Sequence, residues 1–211
     1  MSAREDILER LRSALRDSPA VPEIPRTYRA DSGMNADERI DMLVDRLVDY
    51  KAGVTVVDEA GLAPRIAELL LDASSYVVPA GIDGAWLADA EAMAPGRRRT
   101  DAADAPLSVA ELDAVDAVVT GSAVSVAETG TIILDASPNQ GRRAITLVPD
   151  HHVCVVREAD VAGILPEALR RLDGTRPLTW ISGPSATSDI ELERVEGVHG
   201  PRNLDVVIVR S

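Results

Sequence analysis

Three neighbouring segments decide the fold: Val54-Thr-Val-Val57, then Ala63-Pro-Arg-Ile-Ala-Glu-Leu-Leu-Leu71, then Tyr76-Val-Val78. Short runs of β-branched residues read as buried strands, and apolar residues at helical spacing between them read as a crossover helix. Strand, helix and strand in so short a span make a parallel βαβ unit.

Downstream, residues 84–90 read as a short helix, and residues 115–120, 131–134, 144–147 and 153–156 as strands. Between 115 and 156 the connections leave no room for helical crossovers except around 122–127, so these strands are expected to be antiparallel. Residues 159–172 read as helical, with Pro166 near a turn between two short helices, and 178–181 and 204–209 complete the sheet. The polar, arginine-bearing segment 95–106 reads as a surface loop.

Upstream, Ser2 and Glu5 have capping-box spacing, and Ile7, Leu8, Leu11, Ala14 and Leu15 repeat on one helical face. Pro19, Pro22 and Pro25 then impose an extended linker. Asn35 with Glu38 opens a second helix over 36–51, which Gly53 is expected to close. The expectation is an α/β fold: one mixed parallel/antiparallel sheet with helices on both faces, preceded by an N-terminal helical arm. The arm and linker occupy 1–26 and a single domain 27–211.

Composition narrows the function. A net charge of −13 argues against a nucleic-acid backbone or an anionic membrane as partner. Lys51 is the sole lysine and falls at a helix end, which disfavours Schiff-base chemistry. The single cysteine, Cys154, lies in an apolar run. The chain can therefore form no internal disulfide, four-cysteine zinc site or iron–sulfur centre, and no metal site is expected. No apolar stretch reaches the ~18 residues of a membrane helix, so a cytoplasmic protein without membrane insertion is expected.

Three loops gather the polar residues. In Thr120-Gly-Ser-Ala-Val-Ser-Val-Ala-Glu-Thr-Gly-Thr131, Gly121 and Gly130 leave backbone N–H groups beside Ser122, Thr129 and Thr131. Glu128 there reads either as an acid, base or nucleophile, or as a cap that only holds the loop. In Pro149-Asp-His-His152, His151 and His152 must point to opposite faces of an extended chain, so only one can face a given site. The third loop carries Gly183, Ser185, Thr187 and Asp189 at a strand-to-helix turn suited to an anion, and then His199 and Arg202 around Gly200-Pro201. Arg142 and Arg143 after Gly141 can also receive an anion, although a solvated loop is the simpler reading.

Four stretches together resemble the lactate utilization protein C family, the stand-alone form of the LUD domain. They are Ala127-Glu-Thr-Gly-Thr131, Leu147-Val-Pro-Asp-His-His152, Gly183-Pro-Ser-Ala-Thr-Ser-Asp-Ile-Glu191 and Gly197-Val-His-Gly-Pro-Arg202. The resemblance implies a fold like that of sugar-phosphate isomerases and CoA-transferases. It also implies a part in oxidising L-lactate to pyruvate beside two iron–sulfur partner proteins, with this chain as the cluster-free accessory subunit binding a small anionic ligand. CoA-transferases use a glutamate in a Glu-x-Gly turn as nucleophile, and Glu128-Thr-Gly130 is similar. The alternatives are therefore an acyl-transfer or isomerase enzyme acting through Glu128, and a structural adaptor docking on the iron–sulfur proteins through its N-terminal helix.

Overall fold

Ser2 and Asn35 open the first two helices by the same device. In a computed structural model describing residues 2–16, 23–184, 186–187, 195–196 and 200–210, α1 spans Ala3–Ala14 and α2 spans Ala36–Asp49. Each cap side chain accepts the N–H three residues on, and Glu5 or Glu38 accepts the cap's own N–H. The second helix is closed by Lys51, at φ 69°, not by Gly53. Gly53 begins β1 (Gly53–Val57), where a Cβ would lie 2.0 Å from Asp205 Oδ1.

From β1 the chain runs through α3 (Glu59–Leu69), β2 (Tyr76–Pro79), α4 (Ala88–Met93), β3 (Arg98–Asp101), α5 (Val109–Asp113) and β4 (Ala117–Thr120). Next come β5 (Val124–Val126), β6 (Thr131–Leu134), β7 (His151–Arg157), β8 (Val161–Ala162), α6 (Leu165–Leu169) and β9 (Thr179–Ile181). A short pair, β10 (Ala186–Thr187) with β11 (Val195–Glu196), precedes β12 (Asn203–Val209).

The architecture is α/β, with an all-parallel main sheet and a second sheet of mixed pairing. Six strands in the order β1-β12-β7-β4-β2-β3 pair throughout in parallel. A second sheet, β8-β5-β6-β9, joins β6 antiparallel to both β5 and β9. Alternation along β7 and β12 gives the main sheet its two apolar faces. Val153, Val155, Val207 and Val209 pack with Leu62, Ile66 and Leu70, whereas Cys154, Val156, Val206 and Ile208 pack with Leu43 and Leu47 of α2 and Ile132 of β6. With no Phe in the chain, stability is the sum of many aliphatic burials, each worth about 1.5–3 kcal/mol. Cys154 is one of these buried residues, and burial pushes its thiol up to about 12.

Several sequence expectations are corrected. The expected loop 95–106 contains β3, an edge strand whose last residue, Asp101, is buried. Residues 144–147 form no strand; Arg143–Thr146 make a 3-10 turn that buries Ile145 and Thr146. A short apolar run does not distinguish a strand from a buried turn. The crossover sought around 122–127 is β5, and β4 and β7 are parallel neighbours. The helix expected over 159–172 is replaced by β8 and the short α6. Pro166 sits in the first turn of α6, after an extended Ile164 (φ −131°, ψ 160°).

Glu167 of α6 ties the segment before α2 to the body. Its carboxylate accepts the N–H of Ser32 (2.6 Å) and of Gly163 (2.7 Å). Burial raises its pKa, but the amides of Ser32, Gly163 and Ile164 and the Ser32 hydroxyl outweigh that and hold it at about 2. Because the folded value lies below the unfolded one, this stabilisation is present above the ordinary glutamate range and is lost as pH falls toward 2. Glu167→Gln is expected to cost about 1–3 kcal/mol, read as a lower urea midpoint at neutral pH. An unchanged midpoint would show that these hydrogen bonds contribute nothing net.

Candidate functional site

The two adjacent histidines of β7 do point apart. His151 Nε2 lies 2.7 Å from Asp205 Oδ2, half-buried on one face of the main sheet. His152, 1 % exposed, turns to the other face, where its Nε2 lies 2.8 Å from Thr120 Oγ1 of β4. Burial, and then the charge of His151, lower the His152 pKa to about 3, so its ring is neutral at physiological pH.

His152 lines a cavity of about 250 Å³ between the main sheet and β9. Leu204 joins it from the main sheet. The turn after Gly141 contributes Arg143, Thr146 and Leu147, and the chain from Thr179 to Pro184 forms the opposite wall. Gly183 (φ 112°) and Gly200 (φ 141°) border it, with backbone conformations that disfavour any side chain. The cavity opens at the N-terminal ends of β7 and β12. Open parallel sheets usually place ligands at the carboxyl ends of their strands, so here the second sheet is what creates the recess.

Electrostatics single out Arg143. Its neighbour Arg142 is clamped: Nε and Nη2 reach the Asp101 carboxylate at 2.9 and 2.8 Å, and that carboxylate also accepts the Leu107 N–H at 2.9 Å. Burial raises the Asp101 pKa, but these hydrogen bonds and the Arg142 charge bring it below the usual carboxylate range. Arg143 is exposed beside the cavity, and among the described residues no carboxylate pairs with it. The Thr146 hydroxyl donates to the Arg143 carbonyl at 3.1 Å, closing the same turn.

The first polar loop reaches the cavity through hydroxyls. Ser182 in the cavity wall lies 2.9 Å from Thr131, and Thr131 lies 2.8 Å from Thr129. Gly130 (φ 64°) adjoins α2, where the Tyr50 hydroxyl donates to its carbonyl at 2.5 Å. Gly121 and Ser122 are engaged within the fold: the Gly121 N–H donates to the Asn139 carbonyl, and the Ser122 hydroxyl donates to the Val155 carbonyl at 3.1 Å.

Glu128 is not part of the cavity wall. Its two carboxylate oxygens accept from Arg29 at 2.5 and 2.6 Å, and its side chain is 40 % exposed. Among the described residues the carboxylate's partner is the Arg29 guanidinium and not the backbone amide of the capping alternative, and the pair anchors the segment before α2.

Arg202 forms a two-pronged pair with Asp150 at 2.5 and 2.7 Å, joining the starts of β7 and β12. Thr187 lies in β10, its backbone opposite Val195. Ser185, Asp189 and His199 lie outside the described residues. Sequence reasoning did not single out Thr146, Thr179 and Ser182 as lining residues, and it preferred a solvated loop to an anion site at Arg142 and Arg143. The adjacent arginines were the one signal for it, and only the buried Asp101 reveals which of them is spent on structure.

Among the described residues no cluster of three or more His, Cys, Asp or Glu side chains is arranged to hold a metal, and no helix is long and apolar enough to cross a membrane.

Comparison with known proteins places this architecture. The LUD domain family model matches residues 27–209. A lactate utilization protein C of Deinococcus radiodurans is 46% identical over 192 residues, covering 89% of this chain and 87% of that protein. The lactate utilization protein C of Bacillus subtilis is 24% identical over 98% of this chain and 95% of its own. The crystal structure of a DUF162 family protein from D. radiodurans superposes with a TM-score of 0.69 at 40% identity, covering 83% of this chain and 99% of that one. With the family model spanning both sheets and the cavity between them, the chain belongs to the LUD domain family, among relatives named lactate utilization protein C.

Proposed function

We propose that this protein serves lactate utilization as a cluster-free component that binds a small carboxylate-bearing anion in the cavity beside His152. One observation carries the reading: in a chain of net charge −13, an exposed arginine without a carboxylate partner among the described residues borders a recess lined with hydroxyls. Arg143 supplies the cation and the Thr179 and Ser182 hydroxyls supply hydrogen bonds. The neutral His152 ring adds polarity without a second charge. A volume of about 250 Å³ suits a metabolite, since pockets for drug-sized ligands run to ~300–1,000 Å³.

In this reading Glu128 anchors the fold through Arg29 instead of attacking substrate. Oxidation of lactate would draw on iron–sulfur partner proteins, because the one cysteine here is buried among aliphatic side chains.

Titration calorimetry with L-lactate and pyruvate tests the proposal. Arg143→Ala is expected to weaken the bound acid at least ~10-fold, as loss of a charge-assisted hydrogen bond costs about 1.5–3 kcal/mol. Arg143→Lys should retain part of the affinity. Equal affinity in wild type and Arg143→Ala, or no saturable binding of either acid at ~10 mM, would refute it.

A further inference from the structure

The first helix leaves its apolar stripe without a partner. None of its residues is buried, and Ile7, Leu11 and Leu15 are 59%, 54% and 61% exposed. At twelve residues it is near the length below which an isolated helix is marginal in water, so its amphipathic design calls for a second apolar surface.

The charges indicate which surface. Glu5, Asp6 and Glu9 lie in the first half of the segment, and Arg10, Arg12 and Arg16 in the second. Arg4, Leu8, Leu11 and Leu15 follow each other at spacings of four and three, the seam of a short coiled coil. Glu5 and Arg12 share one flank of that seam, and Ile7 and Ala14 share the other. When two such helices run antiparallel, Leu8 meets Leu11 of the second copy and Leu15 covers the stem of Arg4. Glu5 then faces Arg12 in both symmetric contacts, and Ile7 faces Ala14. Parallel pairing would instead set Ile7 against Arg12 and leave Glu5 facing no charge of the second copy.

We propose that α1 is a self-association element through which two copies of this chain pair antiparallel. So short a seam buries less than the ~1,200 Å² of a standard stable interface. The dimer should therefore be concentration-dependent.

Sedimentation equilibrium of the full chain from ~1 to ~200 µM tests this. Wild type is expected to move from 22.4 kDa toward twice that mass, and Leu11→Asp to remain monomeric. Glu5→Arg and Arg12→Glu should each weaken pairing about three- to tenfold. An equimolar mixture of those two variants should recover wild-type association, since both mixed contacts again join Arg to Glu. Glu5 also caps the helix; mere fraying would not be rescued by mixing. All variants should unfold within ~1 °C of wild type, because α1 buries nothing in its own chain. A monomeric wild type at every concentration would overturn the proposal. So would a dimer indifferent to Leu11→Asp, or a mixture no tighter than its components.

Discussion

Asp101→Ala is expected to lower the thermal midpoint by about 6–12 °C, the equivalent of about 3 kcal/mol in a domain of this size. The Asp101 side chain is 4% exposed and accepts from Arg142 and the Leu107 amide. Truncation leaves that amide unsatisfied, strips a half-exposed guanidinium of its partner and opens a void. Breaking a buried pair from one side costs several kcal/mol; the 40% exposure of Arg142 places this case at the lower end. A second effect follows from the chain, because Arg142 is covalently next to Arg143. Asp101→Asn, which keeps shape but removes charge, should therefore weaken carboxylate binding as well as stability. A midpoint shift under ~1 °C for Asp101→Ala would show that the clamp does not hold this turn.

The second large effect is a dependence of stability on pH set by His152. The imidazole is neutral in the fold, its pKa lowered to about 3 by burial and by His151. The unfolded chain takes up a proton near pH 6.5. Between those values the unfolded state binds more protons, so stability falls as the solution is acidified through that window. From pH 7 to pH 4.5 the loss from this residue is about 2–3 kcal/mol. Urea midpoints at pH 7, 5.5 and 4.5 measure it. In His152→Gln, which has no titrating ring, the decline over this window should shrink by that amount; an identical decline in the variant would contradict the account.

The sequence carried the fold further than it carried the site. Periodicity and capping residues disclosed α1, α2 and the strands of the main sheet other than β3, because each carries a regular apolar stripe or an apolar β-branched run. Short irregular pieces were less legible. Arg143–Thr146 resembles a strand in composition, and only the packing of Ile145 beside Val77 and Val118 shows a turn. The division into two sheets was hidden as well, since β5 and β9 carry three residues each.

At the site, alternation along β7 required the histidines to diverge. It could not say that His152 faces the recess, which depends on where the second sheet packs. Glu128 was legible as polar and half-accessible, whereas its ion pair with Arg29 spans ninety-nine positions of sequence and has no local signature. The same long-range logic hides the value of Arg143: its neighbour looks equivalent until Asp101, forty-one positions upstream of Arg142, is found beneath it.

The central claim is that the cavity beside His152 receives a carboxylate through Arg143. A crystal structure of the protein with pyruvate tests this most directly. The carboxylate is expected within hydrogen-bonding distance of the Arg143 guanidinium, with Ser182 or Thr179 on the same ligand. Pyruvate bound elsewhere, or an Arg143 side chain turned away from a ligand that occupies the cavity, would contradict it.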